Sequence, residues 1–189
     1  RAQAPQHPLL PLVAVPTTTG TGAESTTICV LDVLALEVKT GISHARLRPT
    51  MAVVDPDLTL TQPAMVTASS GMDILSHALE SYTARWYADQ PAKRPEQRVP
   101  YCGSNPISDA WSEKAMSLLA SSFRAAVNAA RSGEDPAEAR TVREQMAMAA
   151  TFAGLGFGNA GVHVPHACAY PIAGRVRGYR PDDYVDHDA

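Results

Sequence analysis

The segment SSGMDILSHALESY, residues 69–82, places an acid and a histidine four positions apart in an otherwise apolar stretch. Residues i and i+4 lie one above the other on the same face of a helix, so Asp73 and His77 would share a face. Two interpretations of this spacing stay open. Either Ser70 begins the helix and forms a capping box with Asp73, beside an ordinary histidine, or Asp73 and His77 are two ligands of a metal ion.

A second group of candidate ligands lies in GNAGVHVPHACAYP, residues 158–171, where His163 and His166 follow a glycine-rich segment. Such a histidine pair alone is more often structural. Added to a carboxylate and a histidine one helical turn apart, it gives a set of nitrogen and oxygen donors that suits Fe²⁺ or Zn²⁺. The metal hypothesis needs no thiolate, which agrees with three scattered cysteines.

A third candidate is the segment PTTTGTGAE, residues 16–24, which directly follows a predicted strand. Glycines let a backbone approach a ligand closely, and hydroxyl and N–H groups bind phosphate or ribose oxygens. A simple hairpin turn explains the same residues equally well.

The spacing of Gly156, Gly158 and Gly161 matches G-x-G-x-x-G, but these glycines end a predicted helix. We therefore reject them as a dinucleotide fingerprint, which must follow a strand and open a helix.

The elements that would position these groups change character near Gln62. Before it, apolar runs rich in β-branched residues predict strands at 11–16 and 50–56 and a hairpin formed by TTICVLDV and LEVKTGIS. After it, apolar periodicity predicts three helices, at 64–85 with a break near 69–71, at 109–131 and at 137–157. A proline-rich loop of about 20 residues joins the first two helices, and loops of that length are usually functional or mobile.

Composition excludes several classes of protein. The 189 residues are 45% hydrophobic and 19% charged, which is typical of a globular protein. A net charge of −3 without a basic block argues against nucleic acid and anionic membranes as partners. The apolar runs are shorter than the roughly 18 residues of a membrane-spanning helix. Few cysteines favour a cytoplasmic protein. The chain begins at Arg1, and we expect a piece of a longer protein.

Four segments in this order resemble the iron-containing (group III) alcohol dehydrogenase family: VAVPTTTGTGAE, VVDPDL, GMDILSHALESY and GFGNAGVHVPHACAYPIAG. The resemblance implies an α/β N-terminal part, the remnant of a Rossmann-like domain, followed by an all-α domain. This is the architecture shared with dehydroquinate synthase, incomplete at both ends. Residues 1–62 would be the last part of the nucleotide-binding domain, and residues 63–189 the first half of the helical metal-binding domain. A homo-oligomer is expected for the full-length protein.

The same resemblance implies roles for particular residues. The family's metal ligands are one aspartate and three histidines, and Asp73, His77 and His166 match the first three. The fourth comes from a Pro-His-Gly motif that is absent here, and His187 lacks that context. The cofactor would be NAD(P), with Thr18, Thr19 and Thr21 on phosphate and nicotinamide, Lys39 on ribose, and Val30 and Leu58 as walls. Tyr170 stands where many members carry a proton-relaying histidine, and His163 is the expected substitute.

The implied activity is metal-dependent hydride transfer between an alcohol or hydroxyacid and the nicotinamide cofactor. YCGSNPISDAW and GNAGVHVPHACAYPIAG most resemble members that oxidise 4-hydroxybutyrate with 2-oxoglutarate as acceptor. Basic residues of the long loop, Lys93, Arg94 and Arg98, either meet such a dicarboxylate or lie on a solvated surface. The expected partners are small-molecule hydroxyacids and oxoacids, in the mitochondrial matrix if the source is eukaryotic.

Four alternatives stay open at this point. Two histidines and a carboxylate also form the facial triad of Fe(II) oxygenases, although those ligands more naturally lie on strands. A zinc hydrolase is disfavoured because no H-E-x-x-H motif is present. A simple alcohol dehydrogenase would use the same ligands. The chain could also be an inactive piece or a scaffold, because one ligand and the glycine-rich pyrophosphate loop are missing.

Overall fold

The computed structural model describes residues 6–36, 38–133, 136–176 and 178–180. A small β-rich part comes first and a helical part follows, so the expected order of α/β and all-α parts is confirmed. The strands are β1 (Val13–Ala14), β2 (Ile28–Val33), β3 (Val38–Ser43) and β4 (Met51–Ala52), and the helices are α1 (Ala64–Thr83), α2 (Pro106–Ser132), α3 (Pro136–Ala160) and α4 (Val164–Ala173).

The strands form two separate pairs. β1 and β4 are parallel, with Val13 opposite Met51, and β2 and β3 form the predicted antiparallel hairpin. Parallel pairing requires a crossover connection, which the hairpin and its flanking turns supply here. In the hairpin, Asp32 lies opposite Lys39, and their side chains form an exposed ion pair at 3.5 Å.

The core lies between α1, α2 and α3 and consists mainly of small side chains. Ile74, Ala78, Ala115, Leu119, Ala126, Met146, Ala149, Ala150 and Ala153 are buried in it. Because alanine carries only one methyl group, the helix axes can approach closely. Gly71 contributes to the same packing: a side chain there would collide with the ring of Phe123.

Helix α1 is continuous, and the predicted break near residues 69–71 is wrong. The helix begins at Ala64 after Pro63, so Ser70 lies in its second turn and cannot be its N-cap. The hydroxyl of Ser70 accepts a hydrogen bond from Nε2 of Gln62 and donates to the carbonyl of Thr67. The capping-box interpretation of Asp73 is therefore also wrong, and its carboxylate is left for another role.

A buried arginine joins α3 to the start of α1. Arg143 donates hydrogen bonds to Oγ1 of Thr67 at 2.8 Å and to the backbone carbonyl of Gln62 at 3.0 Å. The Gln62 side chain in turn accepts a bond from the backbone N–H of Thr19. Gln62 thus connects the Thr/Gly turn with both helices. The domain boundary near this residue stays a prediction.

Two further helix boundaries concern the site. Asn105 caps α2 by accepting bonds from the N–H groups of Ile107 and Ser108. α4 was not predicted from the sequence; it follows His163, has Pro165 in its first turn and contains Pro171. Proline fits the first turn of a helix but removes a hydrogen bond further in.

Within the described part of the chain, every helix is too short or too polar to cross a bilayer.

Candidate metal centre and cofactor cleft

One face of α1 carries three ionisable side chains: Asp73, His77 and Glu80. Their spacing, i, i+4 and i+7, aligns them along a single side of the helix. His77 and Glu80 are buried, whereas Asp73 is partly exposed. The ring of His77 stacks on Phe157 of α3, with the ring centroids 4.0 Å apart and an interplanar angle of 15°. This packing fixes the imidazole in one orientation.

His166 of α4 completes a compact set of donors with Asp73 and His77. Nε2 of His166 lies 2.9 Å from Nε2 of His77 and 3.5 Å from Oδ1 of Asp73. The distance from Nε2 of His77 to the same carboxylate oxygen is 3.6 Å. The structure therefore brings together the three residues that the sequence nominated as ligands.

The two histidines have opposite pKa shifts. Burial lowers the pKa of His77 to about 4, and the negative charge of Asp73 offsets this only in part. The hydrogen bond with Asp73 raises the pKa of His166, with Glu80 acting in the same direction against the effect of burial. At neutral pH His77 is therefore an uncharged imidazole, the form that binds metals.

These residues fit a divalent metal ion. Two imidazole nitrogens and one carboxylate oxygen suit Fe²⁺ and Zn²⁺ alike. Ligands bonded at about 2.0–2.2 Å to one ion lie roughly 2.8–3.6 Å apart for angles between 90° and tetrahedral. The three donor atoms are 2.9, 3.5 and 3.6 Å apart, which fits this range. Nδ1 of His77 is buried and has no hydrogen-bond partner of good geometry among the described residues, although the Gly20 backbone lies near enough to favour its protonation. A proton on Nδ1 leaves the lone pair of Nε2 directed at the other two donors.

A cavity of about 960 Å³ opens beside this cluster. It runs from Asp73, His77 and His166 towards the Thr/Gly turn and the hairpin. Four of the residues predicted to contact the cofactor line its wall: Thr18, Thr21, Val30 and Lys39. Thr19 is buried behind the turn, and Leu58 lies in the 3-10 turn Pro56–Thr59 with an exposed side chain. Neither of these two residues lines the cavity.

The Thr/Gly turn is held close to two helices by its glycines. A methyl group on Gly20 would lie 2.5 Å from Cβ of Ser70 in α1. Gly22 has a left-handed backbone with φ of 58°, and a methyl group there would lie 2.6 Å from the carbonyl oxygen of Ala150 in α3. On the side of the turn away from these close approaches, Thr18 and Thr21 line the cavity, whereas Thr19 is buried.

His163 occupies a different place from the one expected for a proton relay. Nε2 of its exposed ring bonds to Oγ1 of Thr83 at 3.0 Å, and the residue is not part of the cavity wall. His163 is the residue immediately before α4, and its side chain makes no capping bond to that helix. Tyr170 does line the cavity, and its ring lies edge-on to that of His166 with centroids 6.5 Å apart. Burial, Asp73 and Glu80 together raise the pKa of Tyr170.

The basic loop residues also lie away from the cavity. Lys93, Arg94 and Arg98 are exposed, and Arg94 pairs with Glu96 at 3.3 Å. None of the three belongs to the wall, because the segment that carries them runs over the surface before α2. His187 lies outside the described residues.

Sequence reasoning missed Glu80. Its Oε1 lies 2.5 Å from Nδ1 of His166, and its Oε2 accepts a hydrogen bond from the backbone N–H of His163 at 2.6 Å. A carboxylate on the second nitrogen of a metal-binding histidine is the usual arrangement in metalloproteins. The available signal was its position seven residues after Asp73 on the same helical face.

Sequence reasoning also missed Glu24, a buried carboxylate on the cavity wall that accepts a bond from Oγ1 of Thr151.

Comparison with known proteins gives matches along most of the chain. Residues 1–56 match the family described as iron-containing alcohol dehydrogenase. Residues 96–177 match the C-terminal part of the Fe-containing alcohol dehydrogenase family. The two matches cover the strand pairs, the Thr/Gly turn and the helix that carries His166.

Curated relatives include two mitochondrial hydroxyacid-oxoacid transhydrogenases. The Xenopus laevis protein is 47% identical over 190 residues, and the Mus musculus protein is 48% identical over 183 residues. These alignments cover 99% and 95% of this chain but only 40% and 38% of the relatives. The chain therefore spans about two fifths of their length.

Solved structures also resemble nearly the whole of this chain, which again covers less than half of their length. A 1,3-propanediol oxidoreductase superposes with a TM-score of 0.74 at 35% identity, covering 90% of this chain and 38% of the other. Sulfoacetaldehyde reductase from Bifidobacterium kashiwanohense, solved in complex with NAD⁺, gives a TM-score of 0.70 at 33% identity, covering 88% and 38%. With both family matches and these likenesses along nearly its whole length, the chain belongs to the iron-containing alcohol dehydrogenase family.

Proposed function

We propose that Asp73, His77 and His166 bind one divalent metal ion, Fe²⁺ or Zn²⁺, and that the adjoining cavity binds NAD(P). The observation that carries the proposal is the meeting of three donor atoms from α1 and α4 at the end of a large cavity. All three ligands lie on helices, Asp73 and His77 on α1 and His166 on α4, which favours this proposal over the oxygenase alternative. The sulfoacetaldehyde reductase complex with NAD⁺ supports the choice of cofactor.

We propose further that the protein transfers hydride from a hydroxyacid to an oxoacid. Identity of 47–48% to the transhydrogenase relatives, against 35% to the 1,3-propanediol oxidoreductase and 33% to the sulfoacetaldehyde reductase, favours this activity over a simple alcohol dehydrogenase. 4-Hydroxybutyrate and 2-oxoglutarate are the substrates that the sequence resemblance implies. Since both relatives are named as mitochondrial, we place the protein in the mitochondrial matrix if its source is eukaryotic.

Different residues of the chain would hold the metal ion and the cofactor. A bound divalent ion supplies a Lewis acid for the substrate oxygen, and nicotinamide supplies the hydride acceptor. α1 and α4 hold the three ligands in place, and Phe157 keeps the ring of His77 fixed. The hydroxyls of Thr18 and Thr21 and the ammonium of Lys39 bind polar groups of the dinucleotide.

Tyr170 is the residue that we propose to carry the proton. It lines the cavity beside His166, and its raised pKa keeps the hydroxyl protonated at neutral pH. In the reducing half of the cycle, the hydroxyl would give this proton to the carbonyl oxygen of the oxoacid as its carbon receives hydride. The phenolate left behind would then take up the proton that the next hydroxyacid releases on oxidation. This assignment replaces His163, whose ring faces Thr83.

The test is turnover by the protein expressed at the full length of its coding sequence. We expect conversion of 4-hydroxybutyrate when 2-oxoglutarate is present and no NAD is added, with one divalent ion per chain. Asp73→Asn should remove both the ion and the activity, whereas Asp89→Asn, at an exposed position outside the site, should change neither. Turnover of simple alcohols with free NAD, and none with the acid pair, would establish the simple dehydrogenase instead. Absence of both activities would support the inactive alternative.

A further inference from the structure

We propose that Glu80 is a positioning residue that fixes the tautomer of His166 and anchors the helix carrying it. The inference deepens the proposed metal site and rests on it. Its basis is a buried carboxylate whose two oxygens are each bound to a different residue around the start of α4, although Glu80 itself lies on α1.

The first contact selects the nitrogen that faces the other ligands. A carboxylate only accepts hydrogen bonds, and Oε1 of Glu80 lies 2.5 Å from Nδ1 of His166. Nδ1 must therefore carry a proton. In a neutral imidazole the other nitrogen then has a free lone pair, and this Nε2 is the atom that faces His77 and Asp73.

The second contact holds the backbone that carries the ligand. Oε2 of Glu80 accepts the N–H of His163, the residue immediately before α4. The first N–H groups of a helix have no partner within the helix, so they need an external acceptor. Because α4 also contributes Ala169, Tyr170 and Ala173 to the cavity wall, this bond positions more than the metal ligand.

The position of Glu80 makes both contacts strong. Its side chain is 2% exposed, so water does not compete for its oxygens. Thr83, one turn further along α1, holds the ring of His163 by a third contact between the same two segments. The junction of α1 and α4 is thus fixed at the backbone of His163, at its ring and at the ring of His166.

The substitution Glu80→Gln separates tautomer control from packing, because the two side chains have nearly the same shape. The N–H of His163 can only donate, so the introduced amide must turn its oxygen towards it. The NH₂ group then faces Nδ1 of His166 and donates to it. The proton of the imidazole moves to Nε2, where it blocks the lone pair needed by a metal ion.

Two measurements test the inference. Nitrogen-15 NMR of the metal-free protein, recorded at increasing pH until the His166 shifts stop changing, reports which nitrogen of the neutral ring carries the proton. We expect Nδ1–H in the unsubstituted protein and Nε2–H in Glu80→Gln. Competition titration with Zn²⁺ should give a Kd about 10- to 100-fold weaker for Glu80→Gln. Glu80→Asp keeps a carboxylate and should recover part of the affinity. Glu113→Gln, at an exposed position of α2, should bind as the unsubstituted protein does.

An Nδ1–H tautomer in Glu80→Gln, or a Zn²⁺ affinity within twofold of the unsubstituted protein, would overturn the inference. Equal losses in Glu80→Gln and Glu80→Asp would also overturn it, since they would show a packing effect alone. If the unsubstituted protein binds no Zn²⁺, the proposed metal site fails, and the tautomer measurement still decides whether Glu80 controls His166.

Discussion

Nε2 of His77 and Nε2 of His166 lie 2.9 Å apart, although 89 positions separate the two residues in the sequence. Their rings are nearly parallel, with centroids 4.6 Å apart. Two nitrogen lone pairs repel each other at this distance unless a proton or a cation lies between them. Without a metal ion, a proton shared with the carboxylate of Asp73 fills that role, which explains the raised pKa of His166.

Metal affinity should therefore depend on pH. An ion must displace the proton of His166, whose pKa is raised, while His77, with a pKa of about 4, is already neutral. Below the pKa of His166, each further unit of acidification should weaken the apparent Kd for Zn²⁺ about tenfold. Above it, this contribution should vanish. Titration calorimetry between neutral and mildly acidic pH measures the slope, and a flat profile across this range would contradict the assignment of His166 as a ligand.

The close contact of the Thr/Gly turn with α3 predicts a costly substitution. Gly22→Ala places a methyl group 2.6 Å from the carbonyl of Ala150 and also strains a left-handed backbone. We expect the free energy of unfolding to fall by about 2–4 kcal/mol. Urea denaturation measures this change.

Gly133→Ala is the matched control. Gly133 also has a positive φ, of 67°, but a methyl group there would meet nothing within 4 Å. The free energy of unfolding should fall only by the cost of a left-handed backbone at an alanine, about 1–2 kcal/mol. Equal losses at both positions would show that the turn does not pack against α3 as described.

The buried arginine should matter more than an exposed one on the same helix. Arg143→Met removes two hydrogen bonds and leaves the buried carbonyl of Gln62 with only the longer bond from Oγ1 of Thr67, at 3.4 Å. We expect a loss of about 2–4 kcal/mol in the free energy of unfolding, since buried bonds to charged groups are worth about 1.5–3 kcal/mol each.

Arg140→Met tests the opposite case by the same denaturation measurement. Arg140 is about half exposed and pairs with Asp57 and Glu144 at the surface. Such pairs contribute about 0–1 kcal/mol because solvent screens them. A larger loss for Arg140→Met than for Arg143→Met would contradict the described role of the buried guanidinium.

Replacement of the ring of His163 should have little effect on the metal site. His163→Ala keeps the backbone N–H that binds Glu80 and removes only an exposed ring bonded to Thr83. Zn²⁺ affinity and turnover should change by less than about threefold, as for an ordinary surface substitution. Tyr170→Phe, measured in parallel, should lower turnover while Zn²⁺ still binds. A large loss of turnover in His163→Ala alone would restore the relay expected from the sequence.

The parts of the structure that the sequence predicted depend on local patterns. The hairpin and the three long helices follow from apolar periodicity, and Asp73 and His77 follow from their spacing. The sequence-based break in α1 was wrong because Gly71 makes room for Phe123, a partner 52 positions away that no local pattern reveals. α4 was missed because two prolines in ten residues argue against a helix.

The role of Glu80 could not be predicted for a related reason. On its own helix it is an ordinary acid near a C-terminus, and both its partners come more than 80 positions later. Its burial is visible only when α4 is in place. His163 shows the opposite case. Its closeness in sequence to His166 suggested a shared site, but its ring bonds to Thr83 and the residue is not part of the cavity wall.

The single unbroken face of α1 has a consequence for how sequences of this family can change in length. Insertion or deletion of one residue between Asp73 and Glu80 rotates everything beyond it by about 100° around the helix axis. Such a change would turn Glu80 away from α4 while Asp73 kept its place. The surface segment between α1 and α2 has no such constraint over its exposed residues. Related sequences should therefore differ freely in length there and keep the interval from Asp73 to Glu80 fixed at seven.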